Sequence, residues 1–222
     1  MAVNYKVAAD IHDINFDKPQ PSDVFIVDAN VWYWMTYSRA SLRINTPAPY
    51  QTRLYPEYIN QALAVGAKIY RSAHALVELT SIVEVAEAEI YRKQTNLQTF
   101  SVKEFRHSSA SVVKVYKDEI SSIWAQIKTM GSDLEQTLND DLCDRFCQEH
   151  ALQTLDGYDI LISVLAKSHG LTRIITDDGD FSTIPGLIIH TANARVLSAA
   201  QRRGRMIANR PAFEAGAAES II

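Results

Sequence analysis

The sequence predicts an α/β protein built on a central parallel sheet of four to five strands, with helices on both faces and a helical hairpin inserted into the core. Three observations carry that prediction. Four short apolar runs, V-F-I-V at 24–27, A-K-I-Y-R-S at 67–72, T-R-I-I-T at 172–176 and G-L-I-I-H at 186–190, have the length and β-branched content of buried strands. Between them, apolar residues recur at the three-and-four spacing of a helix with one buried face. The block 94–149 has helical spacing and no strand signal, which marks it as an elaboration of the α/β unit.

In chain order, residues 1–22 read as an arm leading into a domain over 23–195. V-F-I-V runs into D-A-N-V, and from Asn30 a helix is predicted in which Trp32, Tyr33 and Trp34 serve core packing. A Pro-containing loop over 43–55 precedes a helix with Pro56 at its first position and Gly66 at its stop. The second strand feeds a long helix over 74–93. Its stripe of Leu79, Ile82, Val83, Ala86 and Ile90 is buried, and Glu84, Glu87 and Glu89 read as solvated acids. Further helices are predicted over 104–130 and 134–149. On the second of these, Cys143 and Cys147 sit four residues apart and read as buried apolar side chains. Y-D-I-L-I-S-V-L-A-K-S-H-G is a helix ending near Gly170, and 196–222 reads as a basic helix and tail that frays after Arg210.

Composition narrows the function classes. The 222 residues are 47% hydrophobic and carry a net charge of −4, so any basic surface that holds a polyanion is local. The first residues lack the apolar stretch of a signal peptide, and I-L-I-S-V-L-A at 160–166 is too short to span a bilayer. A cytoplasmic protein with no membrane association is expected.

The acids carry the chemistry. In an open parallel sheet, sites form beyond the carboxyl ends of the strands. Asp28 leaves the first predicted strand there, and Asp177, Asp178 and Asp180 of T-D-D-G-D-F leave the third. Glu78 lies in the first turns of the helix after the second strand, which places it at the same edge. Asp156 and Asp159 open the helix before T-R-I-I-T, whose start is less surely at that edge; Asp156 suits the N-cap and Asp159 a ligand. One aspartate of T-D-D-G-D-F serves turn geometry, and the spacing leaves open which. Acids from four segments aimed at one spot would repel one another or hold protons. A hard divalent cation resolves the conflict, since it prefers oxygen ligands and keeps positions open for a phosphate. His74, one turn before Glu78, reads as a packing residue.

Taken together, D-A-N-V, A-L-V-E-L and Y-D-I-L-I-S-V-L-A-K-S-H-G-L-T-R-I-I-T-D-D-G-D-F resemble the PIN-domain nucleases, and within them the VapC-type toxins of toxin–antitoxin pairs. The most specific part is the last: Asp159 at a helix start, Ala166, Gly170, then a strand ending T-x-D-x-D-F. The resemblance implies a three-layer α/β/α fold and hydrolysis of single-stranded RNA assisted by Mg²⁺ or Mn²⁺. It assigns Asp28, Glu78, Asp159 and Asp178 as catalytic metal ligands, Asp180 as an accessory acid, and Asn30 and Thr176 as supporting residues. It also implies an antitoxin-like inhibitor protein as partner, and the family often forms homodimers. Arg195, Arg202, Arg203 and Arg205, with no acid among them, are candidates for RNA phosphates, against the plainer reading of a solvated basic helix end. The chain is longer than a compact VapC toxin, chiefly between Glu78 and Asp159.

Two alternatives stand beside this reading. A haloacid dehalogenase-type phosphatase also places acids around Mg²⁺, but it needs a second Asp two residues after the first, where this chain has Asn30. A catalytically silent PIN fold acting as a binding module has no reason to keep the full set of acids.

Overall fold

In the computed structural model, which describes residues 4–134 and 137–213, six parallel strands form one sheet. They are β1 (Asp10–Asp13), β2 (Val24–Val27), β3 (Lys68–Arg71), β4 (Ser132–Asp133), β5 (Arg173–Ile175) and β6 (Ile188–Thr191), in the order β1-β6-β5-β2-β3-β4. Side chains alternate across the pleat and so supply two cores. Phe25, Val27, Ile69 and Ile175 enter one, where α1 (Ala29–Thr36), α2 (Pro49–Ala64), α3 (Ala73–Thr95) and α5 (Ala110–Met130) pack. Ile26, Ile174 and Ile189 enter the other, under α6 (Asp140–Leu152), α7 (Gly157–Ser168) and α8 (Ala194–Arg203). Each large side chain buried this way contributes about 2 kcal/mol, and both faces of the sheet are covered. The result is the three-layer α/β/α arrangement.

Strand β2 is the pivot. It pairs with β3 on one side and β5 on the other, in register Phe25 to Ile69 and Phe25 to Arg173. The chain therefore leaves β2 and β5 in opposite directions, and a crevice opens at their carboxyl ends. Helix α7 delivers a second set of residues there. A helix that feeds a parallel strand runs antiparallel to it, so the start of α7, with Asp156 and Asp159, comes back to the carboxyl edge of the sheet.

Several elements differ from expectation. The sheet has six strands because two edge strands, D-I-H-D and S-D, join it without any apolar run to announce them. Helix α2 begins at Pro49, where the Gln51 side chain accepts from the Ala48 amide at 2.8 Å, and Pro56 lies inside it. The predicted helix over 104–130 is two, α4 (Val102–Arg106) and α5, separated at His107–Ser109; Ser101 and Glu104 box the first. Helix α6 starts at Asp140, capped by Asn139, rather than at 134. Its buried position is Leu142, so Cys143 and Cys147 are exposed instead of buried. Glu84 and Glu87 are not solvated: Glu84 takes two hydrogen bonds from Arg106, and Glu87 accepts from the Tyr37 hydroxyl at 2.6 Å. Glu89 is held by Arg43.

Both ends of the described chain are tied down. The amides of Ala8 and Ala9 donate to the Ser182 carbonyl, and β1 extends the sheet along β6. Helix α8 stops at Gly204, whose φ of 65° suits a residue without a Cβ. The chain beyond it is extended: Ile207 donates to the Ile11 carbonyl, and the Arg210 guanidinium binds buried Asp17 and Asp23. Arg210 is thus a structural latch, and residues 214–222 of the predicted tail lie outside the described residues. Among the described residues no helix is long and apolar enough to cross a membrane.

Candidate active site

Asp28 follows β2 directly and is buried. Its Oδ2 accepts from the Thr176 hydroxyl at 2.7 Å, while its Oδ1 is buried with no partner. Thr176 follows β5, and its hydroxyl oxygen also accepts from the Asp178 amide at 2.9 Å. One threonine therefore fixes the carboxylate of one loop and the backbone of another. Asp178 Oδ1 in turn accepts from the Asp180 amide at 2.8 Å, which tightens the turn into the short 3₁₀ helix Asp180–Thr183. Asn30 is half-buried and its side chain bonds nothing among the described residues, while its backbone, with that of Ala29, favours the ionised form of Asp28.

Glu78 stands one and a half turns into α3, behind the Ser72 N-cap, with Oε2 buried and unpartnered. Asp159 is buried in the first turn of α7. Asp156 caps that helix, Oδ1 accepting from the amides of Tyr158 and Asp159. The Nε2 of His74 is buried without a partner, and burial lowers its pKa.

Electrostatics couple these carboxylates. Burial, opposed by the Thr176 hydroxyl and reinforced by Asp178, pushes the Asp28 pKa up to about 6. Burial raises Glu78 to about 8, with Asp28, Asp156 and Asp178 adding to it. Asp159 is raised to about 9 by burial and then by Asp28, Asp178, Asp156 and Glu78. Asp178 and Asp180 are also raised, burial first, with Asp156 acting on both. Asp28, Glu78, Asp159 and Asp180 each feel the charge of Asp178, and Asp178 feels Asp156 and Asp177. Asp156, read from the sequence as a cap, belongs to the same field as well as capping α7.

The aspartate that serves structure in T-D-D-G-D-F is Asp177. Its carboxylate turns into α2, where it accepts from the hydroxyls of Tyr50 and Tyr55 and from Gln51 Nε2, at 2.9, 2.6 and 2.8 Å. The Tyr55 hydroxyl also accepts from the Ala192 amide at 2.9 Å, so α2 clamps the ends of both β5 and β6. These anchors had no sequence signal, because they stand in a segment read as loop and more than a hundred residues from Asp177. Of the arginines, Arg205 reaches Asp10 at 3.5 Å and Arg202 donates to Ser198 at 2.9 Å; Arg195 and Arg203 have no partner among the described residues.

The donors suit a hard divalent cation. All are carboxylate oxygens, two of them buried and orphaned, and their pKa values are raised first by burial and then by the charge of neighbouring acids. Among the described residues no three such side chains are drawn together closely enough to hold an ion as they stand.

A layered α/β protein with acids gathered at the carboxyl edge of a parallel sheet defines the class, and sequence gives the family. The chain belongs to the PIN domain family, whose model matches residues 25–187. Among curated proteins none matches it. Three solved structures are similar to it at low identity. VapBC2 of Rickettsia felis, bound to a DNA fragment from its promoter, is 14% identical with a TM-score of 0.44, covering 76% of this chain and 98% of that one. FitAcB of Neisseria gonorrhoeae is 15% identical, TM-score 0.41, covering 76% and 97%. VapBC-1 of nontypeable Haemophilus influenzae is 12% identical, TM-score 0.42, covering 76% and 98%.

Proposed function

We propose that this protein is a metal-dependent endoribonuclease that hydrolyses phosphodiester bonds of single-stranded RNA. The observation that carries the reading is the electrostatic coupling of four acids on separate segments, Asp28 and Asp159 buried and Glu78 and Asp178 half-buried, with one oxygen of Asp28 and one of Glu78 unpartnered. In this reading Asp28, Glu78, Asp159 and Asp178, with Asp180 beside them, hold Mg²⁺ or Mn²⁺, which supplies Lewis acidity toward a phosphate and a water of lowered pKa. Thr176 holds the Asp28 carboxylate and the backbone of Asp178, so the loop that carries Asp178 is fixed relative to Asp28. Asp156 holds the α7 terminus that presents Asp159. Asp177 holds the loop that presents Asp178. No Ser–His or Cys–His pair is called on.

An antitoxin-like inhibitor protein and a homodimer enter the proposal from the motif resemblance, as does a place in a toxin–antitoxin pair. The test is incubation with single-stranded RNA and Mn²⁺ or Mg²⁺, with EDTA controls, beside Asp28→Asn. Cleavage that needs the cation and is lost in the variant is expected. Turnover of a small phosphate monoester in place of RNA would move the protein to the phosphatases. No turnover of either, with tight binding to a small protein, would leave a silent binding module.

A further inference from the structure

The N-terminal residues lie outside the family match, yet they reach the site. The Tyr5 ring rests on the backbone of Gly179, inside T-D-D-G-D-F: a Cβ there would come within 2.1 Å of Tyr5 Cζ and 2.5 Å of both Cε atoms. The chain just behind it is pinned by the bonds from Ala8 and Ala9 to Ser182, at 2.9 and 3.0 Å. Gly179 has φ of −74°, which any residue adopts, so the glycine serves close approach and not backbone geometry.

Tyr5 faces the acids on one side and an arginine on the other. Its phenol is held above the ordinary range, first by burial and then by Asp178 and Asp180, while Arg195 pulls it down. On the arginine side lies a groove of about 340 Å³, lined by Asn4, Tyr5, Arg195, Ser198 and Arg202. Arg195, Ser198 and Arg202 fall at the spacing of one face of α8. Arg195 is exposed and has no carboxylate partner among the described residues, although the acidic loop is its neighbour. Asn193 ties the start of α8 to that loop, its Nδ2 donating to the Asp177 carbonyl at 2.7 Å. The groove therefore lies beside the acidic loop, with the half-exposed Tyr5 ring between the two and two guanidinium groups along one wall.

We infer that this groove is a nucleotide subsite of the RNA strand, in which the Tyr5 ring stacks a base beside the scissile phosphate and Arg195 and Arg202 hold the phosphates that follow. The inference rests on the nuclease reading and deepens it. An aromatic platform beside cationic side chains is how single strands are held without regard to sequence. The same placement separates the arginines: Arg205, paired with Asp10, and Arg210, latched to Asp17 and Asp23, lie outside the groove and hold the fold.

The test uses the full chain and a fluorescein-labelled single-stranded RNA dodecamer in EDTA, with the dissociation constant read by anisotropy at several salt concentrations. Loss of one stacked base in Tyr5→Ala weakens binding by about tenfold without changing the salt slope, and Tyr5→Phe binds within about twofold of the parent. Arg195→Ala with Arg202→Ala makes the slope shallower by about 1.4, as for two phosphates on a single strand. Hydrolysis of bis(p-nitrophenyl) phosphate reports on the acidic loop beneath the ring: Tyr5→Ala loses RNA affinity by a much larger factor than it loses this rate, and equal losses in the two, as a merely structural arm would give, overturn the inference. Unchanged RNA affinity in Tyr5→Ala, or equal loss in Tyr5→Phe, overturns the inference. Tyr5-dependent binding without any metal-dependent cleavage leaves the subsite standing and removes the nuclease reading; cleavage with Tyr5-independent binding does the reverse.

Discussion

Replacing Asp159 with Asn should stabilise the protein in EDTA, and the gain should grow with pH. The Asp159 carboxyl is raised to about 9 by burial and by its acidic neighbours, whereas an unfolded aspartate titrates near 4, a value taken as ~3.9. A carboxyl raised in the folded state contributes stability that is fully present below its unfolded pKa and is lost as pH climbs toward the folded one. At pH 7 the difference of about 3 units amounts to a ceiling of about 4 kcal/mol. Glu78 and Asp28 share the protons of the same cluster, which brings the effect of one site down to on the order of 2 kcal/mol. Asn carries no such penalty. For a chain of this size the variant should melt about 4–8 °C higher than the parent at pH 7–8, and with little difference at pH 4. The assay is thermal unfolding followed by circular dichroism across that range, in EDTA and again with Mn²⁺. Mn²⁺ should raise the parent more than the variant. An Asp159→Asn protein that is no more stable at pH 8 than the parent, or whose advantage does not depend on pH, would refute the reasoning.

Three further outcomes follow from the packing. Tyr55→Phe removes a hydroxyl that serves Asp177, Thr191 and the Ala192 amide, and should cost about 2–3 kcal/mol in urea unfolding; a loss below about 0.5 kcal/mol would show that the clamp on the acidic loop is not formed. Gly179→Ala drives a methyl into the Tyr5 ring and should speed hydrogen exchange at the Ala8 and Ala9 amides, with Tyr5→Ala in the same chain relieving the clash; unchanged exchange would place the ring elsewhere. Arg210→Ala strands buried Asp17 and should cost about 3–5 kcal/mol. Burial alone would raise the Asp17 pKa, but the bonds from Arg210, His190 and Tyr58 outweigh it and hold it well below the usual range. Its stabilisation is therefore present above pH ~4 and fades as pH falls further. Equilibrium unfolding at pH 7 and pH 3 should show the parent giving up about 1 kcal/mol of that contribution, because the unfolded carboxyl is mostly protonated at pH 3 while the folded one is still ionised, and the variant having none to give up.

The strands that could be read were those buried on both faces. V-F-I-V and T-R-I-I-T announce themselves by continuous β-branched runs, whereas D-I-H-D and S-D are edge strands held by pairing, with no composition to mark them. Two prolines seven residues apart, Pro49 and Pro56, each suit a helix start, and the choice between them rests on Gln51 reaching back to Ala48. Glu84 and Glu87 looked solvated because their partners, Arg106 and Tyr37, stand on other elements. The same distance effect hid Asp177, which only α2 distinguishes from Asp178. The acids at strand ends were legible because topology alone brings strand ends to one edge. Helix α7 needed one further step: a helix feeding a parallel strand returns its start to that edge. Tyr5 had no signal of any kind, since a lone tyrosine in an arm gains meaning from the glycine beneath it.

The most direct test of the account is calorimetric titration of the EDTA-stripped protein with Mn²⁺ at pH 7, run in two buffers of different ionisation enthalpy so that protons can be counted. With Glu78 raised to about 8 and Asp159 to about 9, cation binding should release roughly one to two protons, and Asp28→Asn should abolish the saturable heat. Binding with no proton release, or binding that survives both Asp28→Asn and Asp159→Asn, would contradict it.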